Sequence, residues 1–67
     1  MNVYLVERKD YVNWCEDYAM VVVAEDKRHA ERRARWESGS FKDSKDIKIT
    51  EVSLEKEDVI IVANTGA

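Results

Sequence analysis

Tyr18-Ala-Met-Val-Val-Val-Ala24 runs almost directly into Asp26-Lys-Arg-His-Ala-Glu-Arg-Arg-Ala-Arg-Trp36, and the reading of this junction decides the fold. The first part is a strand that is apolar on both sides. Alternation sends Tyr18, Met20 and Val22 to one face and Ala19, Val21 and Val23 to the other, so both faces must leave water. The second part is a helix. Asp26 can cap it by accepting an amide hydrogen of the first turn, and the helix is expected over residues 27–38. Ser38-Gly39-Ser40 stops it, with Gly39 expected in the left-handed conformation that follows many helix ends. At about 100° per residue, Ala30 and Ala34 form one stripe, Arg33 and Glu37 flank it, and Trp36 projects roughly 120° away. A stripe of methyl groups lies close on a sheet but buries little area, so Phe41, just past the turn, is expected to plug the edge of the core.

Outward from that junction, residues 3–6, Val-Tyr-Leu-Val, read as a first strand with a polar exit at residues 7–10. The connection over residues 10–17 is unusual for a loop because it carries Tyr11, Val12 and Trp14. Such aromatics either fold back as a lid on the core or are held out for a partner. Residues 40–46 read as a polar return loop. Residues 46–54 form a third strand, in which Ile47 and Ile49 point inward but Val52 and Leu54 fall on the opposite side, suggesting a bulge or twist after Glu51. A charged turn at residues 55–58 leads into a fourth strand, residues 58–63, again apolar on both faces.

The expected fold is therefore α+β: a single domain over residues 1–67, with a four-stranded, mainly antiparallel sheet in ββαββ order and one helix on one face. The helix is expected to cover one face only, with Val21, Val23, Ile60 and Val62 or their alternates inward. That leaves Tyr4, Tyr18, Met20, Val22, Val59 and Ile61 on the bare face, a patch larger than monomers normally expose. At roughly 25 cal/mol per Å², about 600 Å² of it buried between subunits would contribute on the order of 15 kcal/mol gross. The chain is thus expected to oligomerise through its sheet.

Composition points the same way. A chain of 67 residues has a small core, and such domains usually add disulfides, a metal or oligomerisation. One cysteine excludes an internal disulfide, and one histidine beside it argues against a zinc site of nitrogen and sulfur ligands. No signal-peptide-like or membrane-spanning apolar run is present, so a cytoplasmic, non-membrane protein is expected. The formal net charge of −3 argues against general nucleic-acid affinity.

Few residues offer catalytic chemistry. Cys15 and His29 lie in separate elements without a nucleophile signature, and Glu16-Asp17 and Glu25-Asp26 are the kind of acid pairs that solvate or cap. Two glycines build no phosphate loop, so neither an enzyme nor a cofactor site is expected. The concentrated feature is cationic: Arg28, Arg32 and Arg35 recur at i, i+4 and i+7, with Arg33 and Trp36 close by. Such a strip is either a solvated helix face or a grip for phosphate or carboxylate, with Trp36, Trp14 and Tyr11 as stacking faces.

Met1-Asn-Val-Tyr-Leu-Val-Glu-Arg8, Trp14-Cys-Glu-Asp-Tyr18, the Val-Val-Val-Ala-Glu-Asp of residues 21–26 and Val59-Ile-Ile-Val-Ala-Asn-Thr-Gly66 together resemble a group of short phage and prophage proteins. The resemblance implies a setting in which small acidic proteins block bacterial immunity. It matches no functional motif and so carries over no site residue. The leading expectation is a non-enzymatic binding protein that sequesters a nucleotide-derived signal at a subunit interface through Arg28, Arg32, Arg35, Trp14, Trp36 and Tyr11. The alternatives are an inhibitor whose Trp14, Trp36 and acidic residues meet a basic surface of a host defence complex, or a homo-oligomeric structural or regulatory phage protein.

Overall fold

β1 (Asn2–Arg8), β2 (Ala19–Ala24), α1 (Lys27–Glu37), α2 (Gly39–Lys42) and β3 (Ile47–Glu51) follow one another in a computed structural model that describes residues 1–10 and 15–61. β1 lies in the middle of an antiparallel sheet of order β2-β1-β3. Its Tyr4, Leu5 and Val6 are consecutive and buried, as suits a strand hydrogen-bonded along both edges, with Tyr4 and Val6 covered by Ala30, Ala34 and Phe41. The fold is α+β with a three-stranded antiparallel sheet.

α1 begins as its sequence dictates. Asp26 is extended, and its Oδ1 accepts the His29 amide hydrogen at 2.9 Å. Ala30 and Ala34 are fully buried against the sheet, and Phe41 is fully buried beside them. The core joins these three to Tyr4, Val6 and Ala24, with Met20, Val22, Ile47 and Ile49 packed around the edge.

Of the two faces of β2, the helix covers the alternates to Val21 and Val23, so Tyr4, Met20 and Val22 do not lie on the bare face as expected. Register places Tyr4 against Val22, and Val6 against both Met20 and Ile49, so all of these share the helix side. Val21 and Val23 turn the other way and are 60% and 62% exposed, beside Leu5 and Val3 in the register. The physical reason is volume. Alanine methyls leave a layer that larger side chains fill, so Tyr4, Met20 and Phe41 go beneath α1 together with Val6 and Val22, and the strand parity this sets turns Val21 and Val23 away.

Further expectations differ from the described residues. Gly39 does not adopt a left-handed conformation: α1 ends at Glu37, Ser38 is extended (φ −125°, ψ 123°), and Gly39 opens α2. The return loop is thus partly helical, with the Phe41 and Lys42 amides donating to the Ser38 carbonyl at 3.1 and 3.0 Å. β3 stops at Glu51, where the alternation breaks, so no bulge is needed. Only the Val52 amide continues the ladder, to Val3 O at 2.8 Å, and Leu54 is exposed. Of the expected fourth strand, residues 59–61 form no strand and expose Val59, Ile60 and Ile61, while residues 62–63 lie outside the described residues.

Candidate functional site

α1 carries charge on every side that does not touch the sheet, and its 3.6-residue period sorts that charge into three groups. Glu31 and Arg35 lie on one flank, Arg33 and Glu37 on the other, and Arg28, Arg32 and Trp36 form an i, i+4, i+8 line pointing away from the sheet.

Arg35 is committed to the fold. Its Nε donates to Glu31 Oε2 at 2.9 Å, and its Nη1 donates to the carbonyl oxygens of Phe41 (2.9 Å), Lys42 (3.2 Å) and Ser44 (2.9 Å). One guanidinium therefore satisfies carbonyls left over at the end of α2, as a cation near a helix C-terminus does well. Its expected place in a ligand site is corrected accordingly: most of its donors are already spent. Tyr11 and Trp14 lie outside the described residues.

Arg28 and Arg32 are exposed and make no ion pair with a described residue, and Trp36 is 82% exposed. The first turn of α1 contains Lys27 and Arg28 and no acidic residue. Cations there oppose the helix dipole, at a cost of roughly 0.3–1 kcal/mol each when exposed. A merely solvated face would favour glutamate at those positions.

The sequence reading missed a second polar cluster, centred on Arg8. Its Nε donates to Asp10 Oδ1 at 3.0 Å, its Nη2 donates to Asp10 Oδ2 at 3.3 Å, and its Nη1 lies 3.6 Å from Glu16 Oε1. Ser44 Oγ donates to the same Asp10 Oδ1 at 2.9 Å. The Arg8 guanidinium, with help from the Ser44 hydroxyl, holds the Asp10 carboxyl down at about 2. Nearby, Ser38 Oγ donates to Asp17 Oδ2 at 2.6 Å, and the Asp17 amide donates to Ser40 Oγ at 3.2 Å. These bonds tie residues 16–17 to β1 and to the α1–α2 junction, and Asp10 to the turn after α2. The available signal was parity: Arg8 follows Tyr4 and Val6 on the helix-facing side of β1, with an acid two residues on.

The acid pairs accordingly do structural work. Glu16 and Asp17 belong to this cluster, and Asp26 caps α1, its carboxyl held below the usual range by the His29 amide and ring. His29 Nδ1 lies 2.9 Å from Asp26 Oδ1 and so faces the cap. Cys15 is exposed, with φ 69°. Among the described residues no group of three or more His, Cys, Asp or Glu is placed to hold a metal ion, and no helix is long and apolar enough to cross a membrane.

Among the described residues, open grooves lie beside the sheet. One of about 240 Å³ is lined by Met20, Val21, Val22 and Val23 of β2 with Arg33 and Glu37 of α1. Another, about 400 Å³, lies between the start of β1 and residues 51–55. Comparison with known proteins found no match of any kind: no family model, no curated protein and no solved structure is similar to this chain.

Proposed function

We propose that this chain is a non-enzymatic binding protein that docks the outward line of α1, Arg28, Arg32 and Trp36, into an acidic groove on a partner protein and inhibits it by occupying that groove. The observation that carries this reading is Trp36, 82% exposed and in line with two arginines. Tryptophan and arginine are the residues most enriched among interface hot spots, and an indole buries about 150–250 Å² when it finds a pocket. Shape supports the same choice. Small-molecule sites are concave, whereas this line runs along the convex face of a helix for about 12 Å, as in helix-in-groove recognition. The partner surface is acidic because the residues in line with Trp36 are arginines. The likeness to phage proteins suggests a host defence protein as the place to look.

Sequestration of a nucleotide-derived signal is the second reading. Arg28 and Arg32 would neutralise phosphate and Trp36 would stack on the base, with a neighbouring subunit walling in the ligand. Two measurements separate the readings. Immobilised wild-type protein should capture a partner from host extract, and the purified partner should bind an Arg32→Ala, Trp36→Ala variant at least about 30-fold more weakly. Equal binding by that variant would defeat the docking reading. A melting-temperature rise with a phosphorylated nucleotide, abolished by Arg32→Ala, would replace it with the second.

A further inference from the structure

Among the described residues β2 is an edge strand, and the parity of its hydrogen bonds shows which backbone groups point away from β1. The Arg8 amide donates to Tyr18 O at 2.9 Å, so residues 8 and 18 exchange hydrogen bonds across the β1–β2 pair. Stepping by two along the register, Met20, Val22 and Ala24 direct their amides and carbonyls at β1. Ala19, Val21 and Val23 must then direct theirs outward. The same reasoning applied to the Lys9–Asp46 and Val52–Val3 bonds places Ile47, Ile49 and Glu51 on the outer rim of β3.

The two rims are guarded differently. β3 reads Ile-Lys-Ile-Thr-Glu and presents Lys48 and Glu51, the charges by which natural sheets discourage edge pairing. β2 reads Ala-Met-Val-Val-Val-Ala, with no charge, no proline and no glycine. Beside this unguarded rim lies the 240 Å³ groove, whose helix wall carries one cation, Arg33, and one anion, Glu37, a single turn apart.

We infer that β2 pairs antiparallel with β2 of a second copy about a two-fold axis at Val21, giving one continuous sheet in which Arg33 of each copy meets Glu37 of the other. Three features select a second copy as the occupant. A two-fold axis at Val21 matches Ala19 with Val23 and Val21 with itself, so the three outward residues satisfy one another. A two-fold interface also places residue i against j and j against i, and the groove wall supplies opposite charges at the two positions this requires. The exposed Val21 and Val23 then meet apolar residues across the seam, which covers part of the bare sheet face. This surface lies on the flank of α1 away from Glu31 and Arg35 and does not use Arg28, Arg32 or Trp36, so it stands or falls independently of the docking reading.

Sedimentation equilibrium of the full chain tests it. Wild type is expected at twice the chain mass of 7.8 kDa at micromolar concentration. Val21→Lys puts a charge on the rim at an exposed site. It should return the particle to 7.8 kDa with an unchanged far-ultraviolet spectrum. Glu37→Arg should weaken association roughly tenfold by setting Arg33 against a like charge, and Arg33→Glu with Glu37→Arg should restore it. In hydrogen exchange, the Val21 and Val23 amides should be protected in wild type and unprotected in Val21→Lys. A wild-type particle of 7.8 kDa overturns the inference, as does a dimer that survives Val21→Lys. A charge swap that fails to rescue overturns the proposed meeting of Arg33 with Glu37.

Discussion

Arg35 and Arg32 sit three residues apart on one helix and have opposite fates. Arg35 reaches Glu31 and the main-chain carbonyls of Phe41 and Lys42 at the end of α2 and of Ser44 just past it, so the flank it occupies is part of the architecture together with Phe41. Arg32 points outward between Arg28 and Trp36 and makes no ion pair with a described residue. Like residues at helical spacing are therefore not one site. An arginine becomes architecture when orphaned acceptors lie within its reach, and it remains available for a partner when the only thing in front of it is water.

The architectural side should break most completely at Phe41, which has no exposed surface. Phe41→Ala removes a core ring at a cost of about 3–5 kcal/mol, as much as a domain this small draws from its whole core. The variant should show no cooperative melt by circular dichroism, whereas Trp36→Ala, an exposed aromatic, should melt like wild type. A smaller effect should appear in acid. In the folded chain the Asp10 carboxyl, bonded to Arg8, is lowered from its ordinary 3.8 to about 2. A carboxyl lowered in this way stabilises the fold fully above its unfolded value, and that stabilisation is lost as pH falls toward the folded one. Denaturant midpoints should accordingly fall between about pH 4 and pH 2, and Asp10→Asn should flatten that part of the curve. If Asp10→Asn keeps the wild-type acid limb, the pairing of Asp10 with Arg8 and Ser44 is not what the acid removes.

How much of this was legible in the sequence depended on whether the deciding contacts were local. The cap at Asp26, the alanine stripe, the buried Phe41 and the outward Trp36 follow from spacing within one helix and its flanks, and the structure bears them out. The face that α1 covers was not legible, because a strand apolar on both sides carries no phase and only the volume under the alanines selects one. α2 is a single short turn, too brief to show a period. The Arg8 cluster joins residues far apart in the chain, Asp10 to Ser44 and Asp17 to Ser38, and the carbonyls that claim Arg35 belong to a turn whose shape no local pattern announces.

The division of α1 into a structural and a binding arginine is tested most directly by melting Arg35→Ala and Arg32→Ala side by side with wild type. Losing the hydrogen bonds of a partly exposed guanidinium should cost about 1–2 kcal/mol, which lowers the midpoint of Arg35→Ala by roughly 5–10 °C. Arg32→Ala should stay within about 2 °C of wild type, as a surface substitution does. Equal shifts, or a larger loss for Arg32→Ala, would contradict the division and with it the assignment of the outward line to a partner.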